Sequence, residues 1–173
     1  MTVSLEALLR RASKMAEQAF NKMGTLEPIW LVETADQRQE TIVVPIWVPE
    51  GMTERKYKDR QAAVMREIFK DRGVVRYARA VEAWTSKMPA ARDFDEAVDL
   101  AAQQGSIAND PQRDEVVMVD AGDGREYLCA LREIIRPHHG KPYLGKLGEI
   151  ERPNQVSGRY LDLLPSAHTG MLS

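Results

Sequence analysis

Leu5, Leu8, Leu9, Ala12, Met15, Ala16, Ala19, Phe20 and Met23 recur at steps of three and four residues. That spacing lays one apolar stripe along a helix of about six turns. Ser4 is placed to cap its start, Glu6 falls in the favourable first turn, and Gly24 suits the left-handed position that ends it. The period then changes. Residues 28–34 (PIWLVET) and 41–48 (TIVVPIWV) are short runs rich in β-branched and aromatic side chains, joined by the polar stretch 35–40. Such a pattern predicts a β-hairpin. Pro45 has no N–H for a ladder, which makes the second strand an edge or a bulged one.

Thr53 is the expected cap of a second helix over 54–72, with Tyr57, Val64, Met65, Ile68 and Phe69 on its apolar side and Gly73 as its stop. Residues 74–85 (VVRYARAVEAWT) read as one long strand. Asp93 and Glu96 have the spacing of a capping box for a short helix that turns Phe94, Ala97, Val98 and Ala101 inward and stops at Gly105. Strands at 115–121 and 126–135 flank Gly122-Asp123-Gly124, a short-range hairpin signal. A further strand is expected over 142–150. Beyond Glu151 the chain mixes Pro, Gly and Ser with Leu161, Leu163 and Leu164. The domain is therefore drawn over 1–150, with 151–173 as an irregular extension docked by its leucines. Helices do not alternate with every strand, so the fold class is α+β. The expected form is a mainly antiparallel sheet of about five or six strands, covered on one face by two long amphipathic helices.

Composition narrows the function classes. The 173 residues carry 24 Lys plus Arg against 26 Asp plus Glu, a net charge of −2. One domain of this size can bury a core without disulfides or metal. The balanced charge provides no general field toward nucleic acid or anionic membrane. No apolar run has the length of a membrane span, and charges are spread through the first twenty residues, so neither a membrane segment nor a secretory leader is expected. Cys129, the single cysteine, cannot form an intrachain disulfide, which fits a reducing cytoplasm.

Motif chemistry is sparse. His138 and His139 are adjacent in a Pro/Gly loop, where neighbouring side chains diverge, and there is no helical His spacing or Cys-x-x-Cys pair. Cys129 lies mid-strand as a small core residue, without a local basic partner to make a thiolate. No Gly-x-Ser-x-Gly elbow or Walker motif occurs, and Gly122-Asp123-Gly124 is explained by a hairpin turn. No cofactor is expected.

The carboxylates hold more interest. Glu33 and Glu82 fall within strands among apolar neighbours, and a carboxylate that is partly buried must find a partner. Arg76, on the same strand face as Glu82, is one candidate. Metal-dependent nucleases place carboxylates on adjacent strands, so Glu33, Glu82, Asp114 and Glu115 are the candidate catalytic residues of a hydrolase or nuclease-like reading, with a divalent metal. The Glu-x-Lys that commonly accompanies such sites is absent, since Ala83 and Trp84 follow Glu82. The start of the second helix holds Arg55, Lys56, Lys58 and Arg60. Over 54–72 it has seven basic residues against four acidic ones, a surplus that can meet phosphates or an acidic partner.

Val81-Glu82-Ala83-Trp84 and Asp110-Pro111-Gln112-Arg113-Asp114-Glu115-Val116-Val117-Met118-Val119 resemble a pattern in uncharacterised bacterial and phage-borne proteins. There a strand ending in Glu-Ala-Trp precedes a variable loop, and a polar Asp/Pro-x-Arg-x-Glu stretch leads into an apolar strand. The resemblance covers about a quarter of the chain. It implies a bacterial origin with mobile-element ancestry and transfers no catalytic residue. Asn109, Asp110 and Pro111 are turn formers, and Val116 onward is strand. Arg113 is left as a candidate binding residue and as a partner for Glu82 across the sheet. The leading expectation is a cytoplasmic binding protein whose partner is a macromolecule, most naturally a protein, with self-association as an accompaniment. The alternatives are the hydrolase reading and nucleic-acid association through the second helix.

Overall fold

A computed structural model of the protein describes residues 3–44, 48–85, 113–153 and 163–164. The order is α1 (Leu5–Met23), β1 (Ile29–Thr34), β2 (Gln39–Val43), α2 (Glu54–Arg72), β3 (Val74–Thr85), β4 (Asp114–Gly122), β5 (Tyr127–Ile135) and β6 (Tyr143–Leu147). The strands form one six-stranded sheet in the order β2-β1-β3-β4-β5-β6, and every pairing is antiparallel. The fold is α+β. Pro45 and the short helix expected after Asp93 lie outside the described residues.

Both helices begin and end where their side chains dictate. Ser4 and Thr53 accept hydrogen bonds from the N–H groups of Ala7 and Lys56, satisfying donors that the first turn leaves unpaired. Gly24 and Gly73 close the two helices at φ 75° and 62°, a conformation in which a Cβ is strained. The β4–β5 turn is fixed similarly, because the Asp123 carboxylate accepts from the N–H groups of both Arg125 and Glu126 at 2.8 Å.

The two helices lie on opposite faces of the sheet, which corrects the expectation that both cover one face. Leu5, Leu8, Leu9, Ala12, Ala16 and Phe20 of α1 pack with Ile29, Leu31, Ala78, Ala80, Val117, Val119 and Ala121. Met65 and Phe69 of α2 pack instead with Trp30, Val32, Val74 and Tyr77. Side chains alternate across a strand, so Ile29 and Leu31 belong to one core while Trp30 and Val32 belong to the other. All six residues of β1 are consequently buried. Leu163 of the C-terminal extension is buried in the α2-side core, as its apolar character requires.

The α1 side is locked by polar contacts as well. The Arg132 guanidinium donates to the Ser13 carbonyl and hydroxyl at 3.2 Å and to the Gly145 carbonyl at 2.7 Å, and it pairs with Glu17. The Asn21 side-chain oxygen accepts from Leu144 N–H at 3.0 Å. These bonds fasten α1 to β5 and β6.

Candidate functional site

The register of the sheet builds a site on the α2 side. Trp30 stands opposite Arg79, Arg79 opposite Asp120, and Asp120 opposite Cys129, so these side chains form one row across that face. Two residues further along, the row is Val81, Met118 and Leu131. Here β1 has already ended, since Ile29 pairs with Ala80, and the sheet floor continues without it. The later turns of α2 seal onto Trp30 and Tyr77 through Met65 and Phe69. The earlier turns roof a cavity of about 650 Å³. Its walls are Pro28, Trp30, Val44, Val48, Met65, Val81 and Met118, and Glu54, Tyr57, Lys58, Gln61 and Glu82 add polar groups. That volume lies in the range of pockets that enclose small ligands or several side chains.

One end of the cavity is bounded by a hydrogen-bonded and aromatic cluster. The Arg79 guanidinium donates to both Asp120 oxygens, from Nε at 3.0 Å and from its terminal nitrogen at 2.6 Å. The Tyr127 hydroxyl donates to the same carboxylate at 2.7 Å, and the guanidinium lies 5.3 Å from the centre of the Trp30 ring. Trp30 in turn meets Phe69 and Tyr77 with ring centres 5.8 and 5.7 Å apart, the spacing of edge-on and tilted aromatic pairs. Gly122 lets this cluster close, because a Cβ there would come within 3.2 Å of the Tyr77 ring.

Arg79 and Asp120 are 8% and 3% exposed. Burial works against the charge on Arg79, but the Asp120 carboxylate outweighs it and the pKa is raised. Burial also raises the Tyr127 hydroxyl, with the Asp120 charge acting in the same direction. Both partners of Asp120 therefore keep their protons at neutral pH. The triad is a structural lock, with both Asp120 oxygens accepting from Arg79 and one of them also from Tyr127.

The carboxylates singled out by the sequence do not share a cleft. Glu33 is buried against Arg76 and borders a shallower recess of about 420 Å³ with Gln37, Asp123 and Arg125. On β3 the residue opposite Glu33 is Arg76, six positions from Glu82, or about 20 Å at the rise of a strand. Glu82 accepts from Leu26 N–H at 2.5 Å and from the Thr25 hydroxyl at 3.1 Å. Its partner is thus the turn after α1, not Arg76 or Arg113. The Arg113 guanidinium instead lies 4.6 Å from the centre of the Trp84 ring. Glu115 is held by Arg136 at 2.5 Å, and Asp114, the next residue along β4, points to the other face by strand alternation. Neither lines either recess. Among the described residues no group of three His, Cys, Asp or Glu side chains is arranged to hold a metal ion.

Of the basic candidates, Lys58 lines the cavity and pairs with Glu54, while Arg55, Lys56 and Arg60 are exposed beside it. His138 and His139 lie on an exposed loop. Cys129 is half-buried, and burial raises its thiol with the Glu151 and Asp120 charges adding to the effect, the opposite of what a reactive thiolate needs. The features that define the cavity, Trp30, Arg79, Met118 and Asp120, carried no motif in the sequence. Their pattern becomes legible only when β3 and β4 are set in register.

Among the described residues no helix is long and apolar enough to cross a membrane. The chain matches no family model, no curated protein and no solved structure.

Proposed function

We propose that this is a binding protein that works without a cofactor and recognises another protein through the α2-side face. The observation behind this reading is the apolar cavity of about 650 Å³ and the way it opens onto a strip of sheet. Val81 and Met118, which line the cavity, continue across the ladder into Leu131, and Leu131 is 42% exposed. A polypeptide that inserts apolar side chains can use both the cavity and the strip, whereas a small molecule enclosed in the cavity would leave the strip bare. Cytoplasmic residence suits the free thiol of Cys129.

The test is a selection from a random peptide display library on the full chain, with counter-selection on Met118→Trp, which fills the cavity. The reading expects peptides that bind the native chain at least tenfold more tightly than the filled variant. A library that yields no peptide distinguishing the two proteins contradicts it.

A further inference from the structure

We propose that two copies of this chain pair antiparallel along β2, so that their six-stranded sheets join into one sheet across a two-fold axis. The surface is an open edge of the sheet, distinct from the α2-side face invoked above.

β2 is the outermost strand on one side of the sheet, and its ladder with β1 runs without a register shift. Thr34 N–H donates to the Arg38 carbonyl and Val44 N–H to the Pro28 carbonyl, both at 3.0 Å. Bonded and non-bonded pairs alternate along an antiparallel ladder. Arg38, Glu40, Ile42 and Val44 therefore turn their backbone groups inward to β1, and Gln39, Thr41 and Val43 turn theirs outward. Among the described residues no strand or side chain bonds those outward groups. Arg11 and Arg72 reach only the side chains of Gln39 and Glu40. Thr41 is exposed and Val43 is 51% exposed, so the strand is not covered there.

The other edge of the sheet is managed. Proteins keep edge strands single with lysines, bulges or a covering segment. β6 has Lys146, a register shift against β5, and a Leu144 N–H already taken by the Asn21 side chain at 3.0 Å. β2 reads Gln39-Glu40-Thr41-Ile42-Val43 and has none of these. Its one charge, Glu40, is paired with Arg72 of the same chain.

A second copy fits this edge as it stands. About a two-fold axis at Thr41, each Thr41 meets the other, and Gln39 of each copy meets Val43 of the other. Each such pair exchanges N–H and C=O in both directions, so every outward group of β2 is bonded. Glu40 then lies opposite Ile42, so no like charges face each other across the axis, and the two Thr41 side chains are favourable cross-strand neighbours. A foreign strand would have to supply this complement, whereas a second copy carries it by construction. Edge pairing covers less than the roughly 1,000 Å² of a stable interface, so the association is weak and depends on concentration.

Sedimentation equilibrium of the full chain, from about 5 to about 500 µM, reads an association of this strength. The expected mass rises with concentration from that of one chain toward twice that value. Thr41→Pro removes the central outward N–H and leaves the inward bonds of Glu40 and Ile42 in place. Val43→Lys adds a charge to the edge. Each should weaken the dimer at least tenfold, whereas Tyr143→Lys on β6 should leave it unchanged. Circular dichroism identifies the variants that fold, and Val43→Lys, at an exposed position, decides the outcome if Thr41→Pro unfolds. A mass fixed at one chain throughout overturns the proposal. So does a dimer that either folded β2 variant leaves intact, or one that Tyr143→Lys alone dissociates.

Discussion

The two faces of the sheet are finished differently. On the α1 side, Leu8, Leu9, Ala12, Ala16 and Phe20 meet Ala78, Ala80, Val117 and Val119 in a core whose members are nearly all fully enclosed. Arg132 then fastens that helix to β5 and β6. On the α2 side, only Ala62, Met65 and Phe69 of the helix are buried. The same sheet there retains a cavity, a half-buried Met118 and an exposed Leu131. Interiors are normally packed to the density of organic crystals; the α2 side has its own buried core around Trp30, Phe69 and Tyr77, and it keeps room beside that core.

Mutations on the two faces should separate these roles. The largest effect is expected from Phe20→Ala, which opens a hole in a fully enclosed core and should cost about 4 kcal/mol in urea unfolding. Asp120→Ala follows at about 3 kcal/mol, because it leaves Arg79 buried without its counter-charge. This second loss would show that the α2 side depends on its polar lock more than on close packing. Leu131→Ser, on the uncovered strip, should change stability by no more than about 0.5 kcal/mol, while weakening any peptide bound there. A loss near that of Phe20→Ala would mean that the strip is core and that the contrast between the faces is false.

A pH measurement sharpens the same comparison at its inner end. Burial raises the Tyr127 hydroxyl above its ordinary value of 10.0, with Asp120 contributing. For a group whose folded pKa is raised, the stabilisation is fully present below the unfolded value and is lost as pH rises from there through the folded one. Ultraviolet absorbance should therefore show a late tyrosine step to which Tyr127 contributes, and stability should decline above about pH 10. Tyr127→Phe should reduce the late step by one tyrosine. Amplitude lost near the ordinary tyrosine range instead of from the late step would contradict the Tyr127–Asp120 bond.

Much of the architecture was written in local pattern. The caps Ser4 and Thr53 and the stops Gly24 and Gly73 are chemical requirements of a helix end, so both helices could be placed from sequence, and Asp123 fixed its turn in the same way. The side on which each helix packs was not read, although a signal existed. Ile29-Trp30-Leu31-Val32 is a continuous apolar run, the mark of a strand buried on both faces, and it implied a helix on each side. The site was less legible because it depends on register. Arg79 alone is an ordinary strand arginine, and Asp120 alone is a polar residue near a turn. Only the Arg79–Asp120 pairing across β3 and β4 turns them into a buried lock beside a cavity. Glu82 attracted notice as a strand carboxylate, yet one of its oxygens is held by Leu26 and Thr25, in the turn after α1, 56 and 57 residues earlier.

Methyl NMR of the full chain, labelled at the methionines and titrated with a peptide from the display selection, tests the central claim most directly. Met65 and Met118 line the cavity, whereas Met15 and Met23 belong to α1 on the opposite face, with Met23 exposed. The prediction is that the Met65 and Met118 methyl resonances shift with the binding isotherm while those of Met15 and Met23 stay in place. A bound peptide that leaves Met65 and Met118 unmoved would contradict the assignment of the α2-side cavity as the binding site.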